Sequence, residues 1–201
     1  MLFFINLPTA VTLAGIILSL AAMQLALQGA LHNAWICFIG AGLADLFDGP
    51  IARKTRMTAE EASLGIQIDS IADMVSFGIA PIILIYSMGA TSLYDSLILA
   101  FYVLASAQRL SYFNVHGTTQ SGETSYYTGL PVTFSALLLP LLYIIQNALL
   151  DYTAGLLLMR AAILFMAILY ISKLPIPKPT GIWYAIFPVI AIACSTYLLI
   201  S

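Results

Sequence analysis

The chain has 201 residues, 61% of them hydrophobic and only 8% charged, with a mean hydropathy of +0.99. A soluble domain of this size carries about 25% charged residues, so the composition excludes a wettable exterior and makes lipid the solvent. Seven Lys+Arg against nine Asp+Glu leave a formal net charge of −2 and exclude the basic footprint of a nucleic-acid binder.

Roughly 20 apolar residues cross a bilayer as a helix. On that ruler the sequence predicts spans near 9–29, 34–54, 63–88, 92–114, 130–149, 154–172 and 180–200. All are expected to be helical, because lipid offers no partner to an unpaired backbone group. The fold class is therefore an all-α polytopic membrane bundle, read as one domain over 1–201 with no repeat or soluble appendage. The start, MLFFINLPTA, has no Lys or Arg ahead of its apolar stretch, which argues against a cleaved signal peptide. The prolines of KLPIPKPTG separate the last two spans. Cys37 and Cys194 stand in apolar runs and read as small buried hydrophobes.

The bases set the orientation. With the N-terminus cytoplasmic, Arg53, Lys54 and Arg56, then Arg109, then Lys173 and Lys178 all fall on the inner side. The outer loops carry Asp95 and Asp151. Arg160 breaks the pattern, and either snorkels outward or pairs inside the bundle.

Four of the nine acids sit in or beside two apolar spans: Asp45 and Asp48 near the end of the second, Asp69 and Asp73 near the start of the third. Spacings of i, i+3 and i, i+4 place each pair on one helix face, with Gly65 one turn back on the stripe of Asp69 and Asp73. The short connection MTAEEAS makes the two helices neighbours, with their acidic ends at one depth. Four converging carboxylates repel unless a cation lies between them or protons neutralise them. An all-oxygen ligand set suits Mg²⁺, Mn²⁺ or Ca²⁺, and a pair of divalent ions is the usual means of activating a diphosphate. Gly49 and Ala52 leave little side chain beside Asp48, and Arg53 brings a planar fork suited to phosphate oxygens. A small cation transporter using the same acids is the competing reading. Against it, the acids gather at one interface with Arg53 among them.

Asp45-x-x-Asp48-Gly49-x-x-Ala52-Arg53 followed by Gly65-x-x-x-Asp69-x-x-x-Asp73 resembles the signature of the CDP-alcohol phosphotransferases, the CDP-alcohol phosphatidyltransferase family. The run Asp69–Pro81 is similar to the phosphatidylserine synthase branch. Weaker echoes of it are Arg109-Leu110 with Phe113-Asn114, Gly129-Leu130-Pro131, and Ile171-Ser172-Lys173-Leu174-Pro175. Leu7-Pro8-Thr9-Ala10-Val11-Thr12 is similar to the opening of that branch, with Thr9 at the place of an asparagine. The resemblance implies a six-helix core, here with a seventh span, usually dimeric and with its site at the cytoplasmic face. It also implies transfer of the phosphatidyl group of CDP-diacylglycerol to a small alcohol, serine in this branch, with release of CMP. Glycerol 3-phosphate or an inositol phosphate is the alternative acceptor, but either would demand more bases than the chain has to spare.

On that footing Asp45, Asp48 and Asp69 are expected to hold two divalent ions, Mg²⁺ or Mn²⁺. Asp73 is a further ligand and the candidate general base. Gly49, Ala52 and Arg53 would line the cytidine and phosphate pocket, and Gly65 would let the third helix close against it. Thr58 either reaches the nucleotide or caps the next helix. Arg109 either meets an acceptor carboxylate or lipid phosphate, or anchors at the inner interface. The polar segment of residues 115–128 is expected to be a mobile loop on the cytoplasmic side, placed to act as a lid.

Overall fold

The structure is a computed structural model that describes residues 6–121, 124–178, 181 and 183–201. The first five residues, residues 122–123 within the polar segment that was expected to act as a lid, Pro179-Thr180 of the proline-rich connector and Ile182 lie outside it. Among the described residues, seven helices are long and apolar enough to cross a membrane. They are α1 (Leu7–Leu27), α2 (Leu31–Lys54), α3 (Ala59–Ser87), α4 (Leu93–His116), α5 (Val132–Leu149, opening with a 3-10 turn), α6 (Tyr152–Ile171) and α7 (Trp183–Ile200).

The seven expected spans are all present, and their starts move for identifiable reasons. The α1 helix begins at Leu7 because the Asn6 side chain accepts from Thr9 N at 3.0 Å and Pro8 fits the first turn. Thr58 and Glu61 form a capping box, so α3 starts at Ala59 and the expected MTAEEAS connection shrinks to residues 55–58. Ser92 with Asp95 caps α4 in the same way, and Asp151 caps α6.

The α3 helix is not uniform. Immediately after Asp73 it loosens into a π-helical turn over Met74–Ile79 and returns to α-helix at Ala80. Pro81 has no N–H to give to the carbonyl four residues back, that of Phe77. The freed carbonyl instead accepts from the Tyr102 hydroxyl at 2.7 Å. The Tyr102 and Tyr170 oxygens lie 3.1 Å apart, and Tyr170 donates to Val132 O at 3.3 Å. One hydroxyl chain thus ties α3, α4, α6 and the start of α5.

The polar segment after α4 is not the irregular loop that was expected. Strand β1 (Thr119–Ser121) pairs antiparallel with β2 (Thr124–Thr128), and β2 pairs with β3 (Pro175–Pro177) from the connector between α6 and α7. Prolines belong at such an edge, where the missing N–H costs no ladder bond. The bundle is thus all-α apart from one small sheet. Gly129 ends β2 with φ 76°, and a Cβ there would meet the carbonyl oxygens of Tyr170 and Ser172 at 2.8 Å each. Only glycine admits that approach.

The α2 helix packs against α1, α5 and α7, while α4 packs against α6. Trp35, Phe38, Phe77, Leu84, Tyr102, Leu139, Met159 and Ile163 form the fully buried centre. Ile17, Leu104, Leu157 and Ile192 remain largely exposed on the outside, as lipid-facing residues should. Cys37 is half-buried, Cys194 is buried, and both are free thiols.

Candidate active site

The site is assembled where α2 ends and α3 turns into its π-helical segment. The α2 helix runs through Pro50, whose ring leaves the Leu46 carbonyl without its helical donor directly beside the acids. Asp45, Asp48 and Asp69 each offer a carboxylate oxygen, and these three atoms lie within 4.8 Å of one another. Asp73 is not one of that triad; its carboxyl is in side-chain contact with Asp45, as that of Asp48 is with Asp69. Asp48 is the most enclosed of the four at 8% exposure, and the other three are half-buried. All four are thus brought together as expected, with three converging on one point and the fourth one contact behind.

Among the described residues the sole ion pair is Arg160 with Asp95, far along the chain from this cluster. Four clustered carboxylates without a cationic partner are strongly unfavourable at membrane depth. A crevice of about 10 Å³ lies among Thr12, Asp45, Asp48, Asp73 and Ser76, room for one atom-sized occupant. Asp69 does not line that crevice; the all-oxygen donor set of Asp45, Asp48 and Asp69 is the one that fits a hard divalent cation.

Thr12 is a member of the site to which the sequence assigned no role. Its hydroxyl lies 2.8 Å from Asp48 Oδ2 and also reaches the Pro8 carbonyl at 3.1 Å. Donation to Asp48 fixes one carboxylate oxygen of a residue that is also in side-chain contact with Asp69.

Beside the acids opens a cavity of about 260 Å³ that Asp45, Gly49 and Arg53 line from α2. A Cβ at Gly49 would meet only Arg53 Nη1, at 3.7 Å. At Gly65 it would meet nothing within 4 Å. The closing of the third helix expected at Gly65 is therefore not seen: that glycine borders open space. Ala52 is half-buried one turn before the exposed end of α2.

Thr58 is taken up by its cap. Its backbone N–H donates to Glu61 Oε2 at 2.7 Å, and its hydroxyl exchanges hydrogen bonds with Glu61 at 2.9 and 3.2 Å. The nucleotide reading of Thr58 gives way to the capping one, because both polar groups are already satisfied.

Arg109 is not an interfacial anchor. It is only 4% exposed, donates from Nε to Leu130 O at 3.2 Å, and lies 5.2 and 5.9 Å from the Phe113 and Tyr127 ring centroids. The two rings are themselves 5.7 Å apart, so the buried cation lies against the pair within cation–π distance of both. Ser70 and Asn114 exchange hydrogen bonds of 2.7 and 3.1 Å, joining α3 to α4 nearby. Tyr127 reaches from the sheet into the cavity wall. Burial, with the Tyr184 phenol beside it, pushes its own phenol above the ordinary range, while Arg109 and Arg53 pull the other way. At neutral pH Tyr127 therefore keeps its proton and presents a neutral hydroxyl.

Comparison with known proteins places the chain in a family. The sequence profile described as CDP-alcohol phosphatidyltransferase matches residues 5–171. The CDP-diacylglycerol--serine O-phosphatidyltransferase of Saccharomyces cerevisiae is 35% identical over 119 residues, 56% of this chain and 42% of that protein. The archaetidylserine synthase of Methanothermobacter thermautotrophicus is 34% identical over 142 residues, 70% of this chain and 59% of that protein. The CDP-diacylglycerol--serine O-phosphatidyltransferase of Bacillus subtilis is 31% identical over 147 residues, 72% of this chain and 78% of that protein. The chain thus spans about half the length of the first two and most of the third. With the profile running from the approach to α1 through the end of α6, and all four aspartates inside it, this chain belongs to the CDP-alcohol phosphatidyltransferase family.

Proposed function

We propose that this chain moves the phosphatidyl group of CDP-diacylglycerol to L-serine and releases CMP. The observation that carries the reading is the unpaired carboxylate triad of Asp45, Asp48 and Asp69, set beside a cavity that also holds Arg53. The serine assignment draws on the names of the relatives and on the shortage of cations. Only Arg53 and Lys178 line the cavity among its basic residues, too few for an acceptor bearing its own phosphate besides the donor's diphosphate.

The family is metal-dependent. Asp45, Asp48 and Asp69 would hold the divalent ions, which we take to be two, Mg²⁺ or Mn²⁺, with Asp73 shared. Bound there, such ions would draw charge from the diphosphate oxygens and stabilise CMP as it departs. The chain's own groups do the rest. The Arg53 fork orients a phosphate, and the space beside Gly49 and Gly65 admits the ligand. Asp73, next to Asp45, takes the proton of the serine hydroxyl as its oxygen bonds to the lipid-side phosphorus. The bond from that phosphorus to the bridging oxygen breaks, and that oxygen leaves with CMP. The apolar helices around the cluster exclude water, which would otherwise hydrolyse the donor.

Exposed Arg53, Lys54, Arg56 and Lys173 all belong to one end of the bundle, with half-buried Lys178. We place that end, and the site, at the cytoplasmic face. The resemblance also leads us to propose a homodimer, which the mass of the detergent-extracted protein tests. The function itself is tested by incubating purified protein with CDP-diacylglycerol, Mg²⁺ or Mn²⁺, and serine, glycerol 3-phosphate or an inositol phosphate. CMP release stimulated by serine alone is expected. Release with another acceptor instead would reassign the substrate.

A further inference from the structure

The seventh span lies outside the family profile, which ends at residue 171, yet it lines the same cavity as the acidic motif. Lys178, Tyr184, Phe187 and Ala191 face Asp45, Gly49 and Arg53 across it. On α7, Tyr184, Phe187 and Ala191 follow one stripe, at i, i+3 and i+7. On α2, the stripe from Arg53 and Gly49 back to Leu46 and Ile39 lines the opposite wall.

Both walls change character in the same direction. Lys178 and Tyr184 meet Arg53, Asp45 and Tyr127 at the end that carries the aspartates. The lining runs from Tyr184 through Phe187 to Ala191 on α7 and from Asp45 through Leu43 to Ile39 on α2, about 10 Å along each helix at 1.5 Å per residue. The Phe187 ring lies 6.1 Å from Phe134 and 5.5 Å from Trp183, so α7 is seated against the start of α5. At Gly42 a Cβ would come within 2.5 Å of Ala136 Cβ, so α2 and α5 touch closely along the third side. Among the described residues, Lys178 and Arg53 have no carboxylate partner within ion-pair distance. The enclosed space is polar and cationic at one end and apolar at the other, the shape of an anionic group attached to hydrocarbon.

We infer that α7 and its leading Lys178 form a wall of the donor site, with Lys178 and Tyr184 holding an anionic oxygen of the donor and Phe187 and Ala191 lying along its hydrocarbon. The inference rests on the proposed donor. It makes the seventh span part of the binding machinery, not an accessory anchor. Lys178 then determines donor affinity and is not a catalytic residue, because the proton transfer and the leaving diphosphate bond are served by the aspartates.

The chain has two tryptophans, Trp35 in the closed core and Trp183 beside the cavity, which gives a direct probe. Purified protein in detergent is titrated with CDP-dioleoylglycerol while fluorescence is followed, with Trp183→Phe identifying the Trp183 signal. CMP release is measured on the same preparation. The lipid is expected to change Trp183 emission. Lys178→Gln is expected to raise the half-saturating lipid concentration and the donor KM about tenfold, with kcat and the serine KM within twofold. Lys178→Arg should recover most of the loss, which a merely structural lysine would not require. A rise in the serine KM alone would move the anion to the acceptor carboxylate and overturn the donor assignment. Wild-type turnover with Trp183 emission unmoved by the lipid, or with an unchanged donor KM in Lys178→Gln, would remove α7 from the site and leave the proposed function standing. Wild-type protein that neither binds the lipid nor releases CMP would end both.

Discussion

Thr12 shows how much of the site depends on single hydrogen bonds. Its hydroxyl holds one oxygen of Asp48, the most enclosed of the four acids. Groups that orient a metal ligand without touching the metal typically change affinity 10–100-fold when removed. Thr12→Val is therefore expected to raise the Mn²⁺ concentration giving half-maximal CMP release by about tenfold, with kcat at saturating metal little changed. Unaltered metal dependence would reduce the bond to helix packing. Asp73 stands apart from the triad and is assigned the proton. Asp73→Asn should lower kcat by about 10²–10⁴-fold, the usual contribution of a general base, and a near-normal rate would remove it from that role. The gathering of the four aspartates, with Gly49 and Arg53 beside them, was legible in the sequence because helix periodicity converts spacing into a shared face, whereas Gly65 borders open space and not a helix contact. Thr12 was not, because its partner is 36 residues away and only the packing of α1 on α2 joins them. The burial of Arg109, which decides between the two readings the sequence left open, was hidden for a related reason. A lone cation at a helix end looks interfacial until the sheet from the next segment covers it.

At the scale of elements, composition and length were enough to find all seven spans, since each is a continuous apolar run of bilayer length. The π-helical turn in α3 was hidden, although its cause, Pro81, stood in the sequence. It required Tyr102, 25 residues on, to donate its hydroxyl to the freed Phe77 carbonyl. Such turns often occur at functional sites, and this one begins at the residue after Asp73. The sheet was equally hidden, because β3 comes from a proline-rich connector that has no strand pattern of its own. Gly129→Ala, placing a methyl group against carbonyl oxygens at positive φ, should destabilise the fold by about 1–3 kcal/mol and lower the thermal midpoint in detergent. At the opposite end of α4, Arg160 resolves the ambiguity of its position by pairing with Asp95. The pair is bidentate, with Nη2 donating to Oδ2 at 2.8 Å, and Asp95 is 2% exposed. Arg160→Ala leaves that carboxylate buried without its cation and should lower the thermal midpoint by several degrees. Because the pair joins α4 to α6 far from the aspartates, kcat of the surviving protein should stay near wild type. Equal loss of kcat and stability would show that the α4–α6 contact reaches the site.

Over the whole molecule, the scarcity of charge makes the function readable. Of nine acids, four belong to the site, and of seven bases, only Arg160 departs from the end of the bundle that carries it. The others mark that end, line the cavity or, as Arg109, lie buried beneath the sheet. A cation pathway would distribute its acids through the membrane depth; here they gather at one end, beside a cavity lined by bases at one end and apolar residues at the other. The most direct test is product formation by EDTA-treated protein supplied with CDP-diacylglycerol and labelled L-serine, before and after Mn²⁺ or Mg²⁺ is restored. The account predicts no product without metal. With metal it predicts one phosphatidylserine for each CMP released, and neither product from a variant with Asp45, Asp48 and Asp69 changed to Asn. Equal product with and without metal, or no product with either metal, would contradict it.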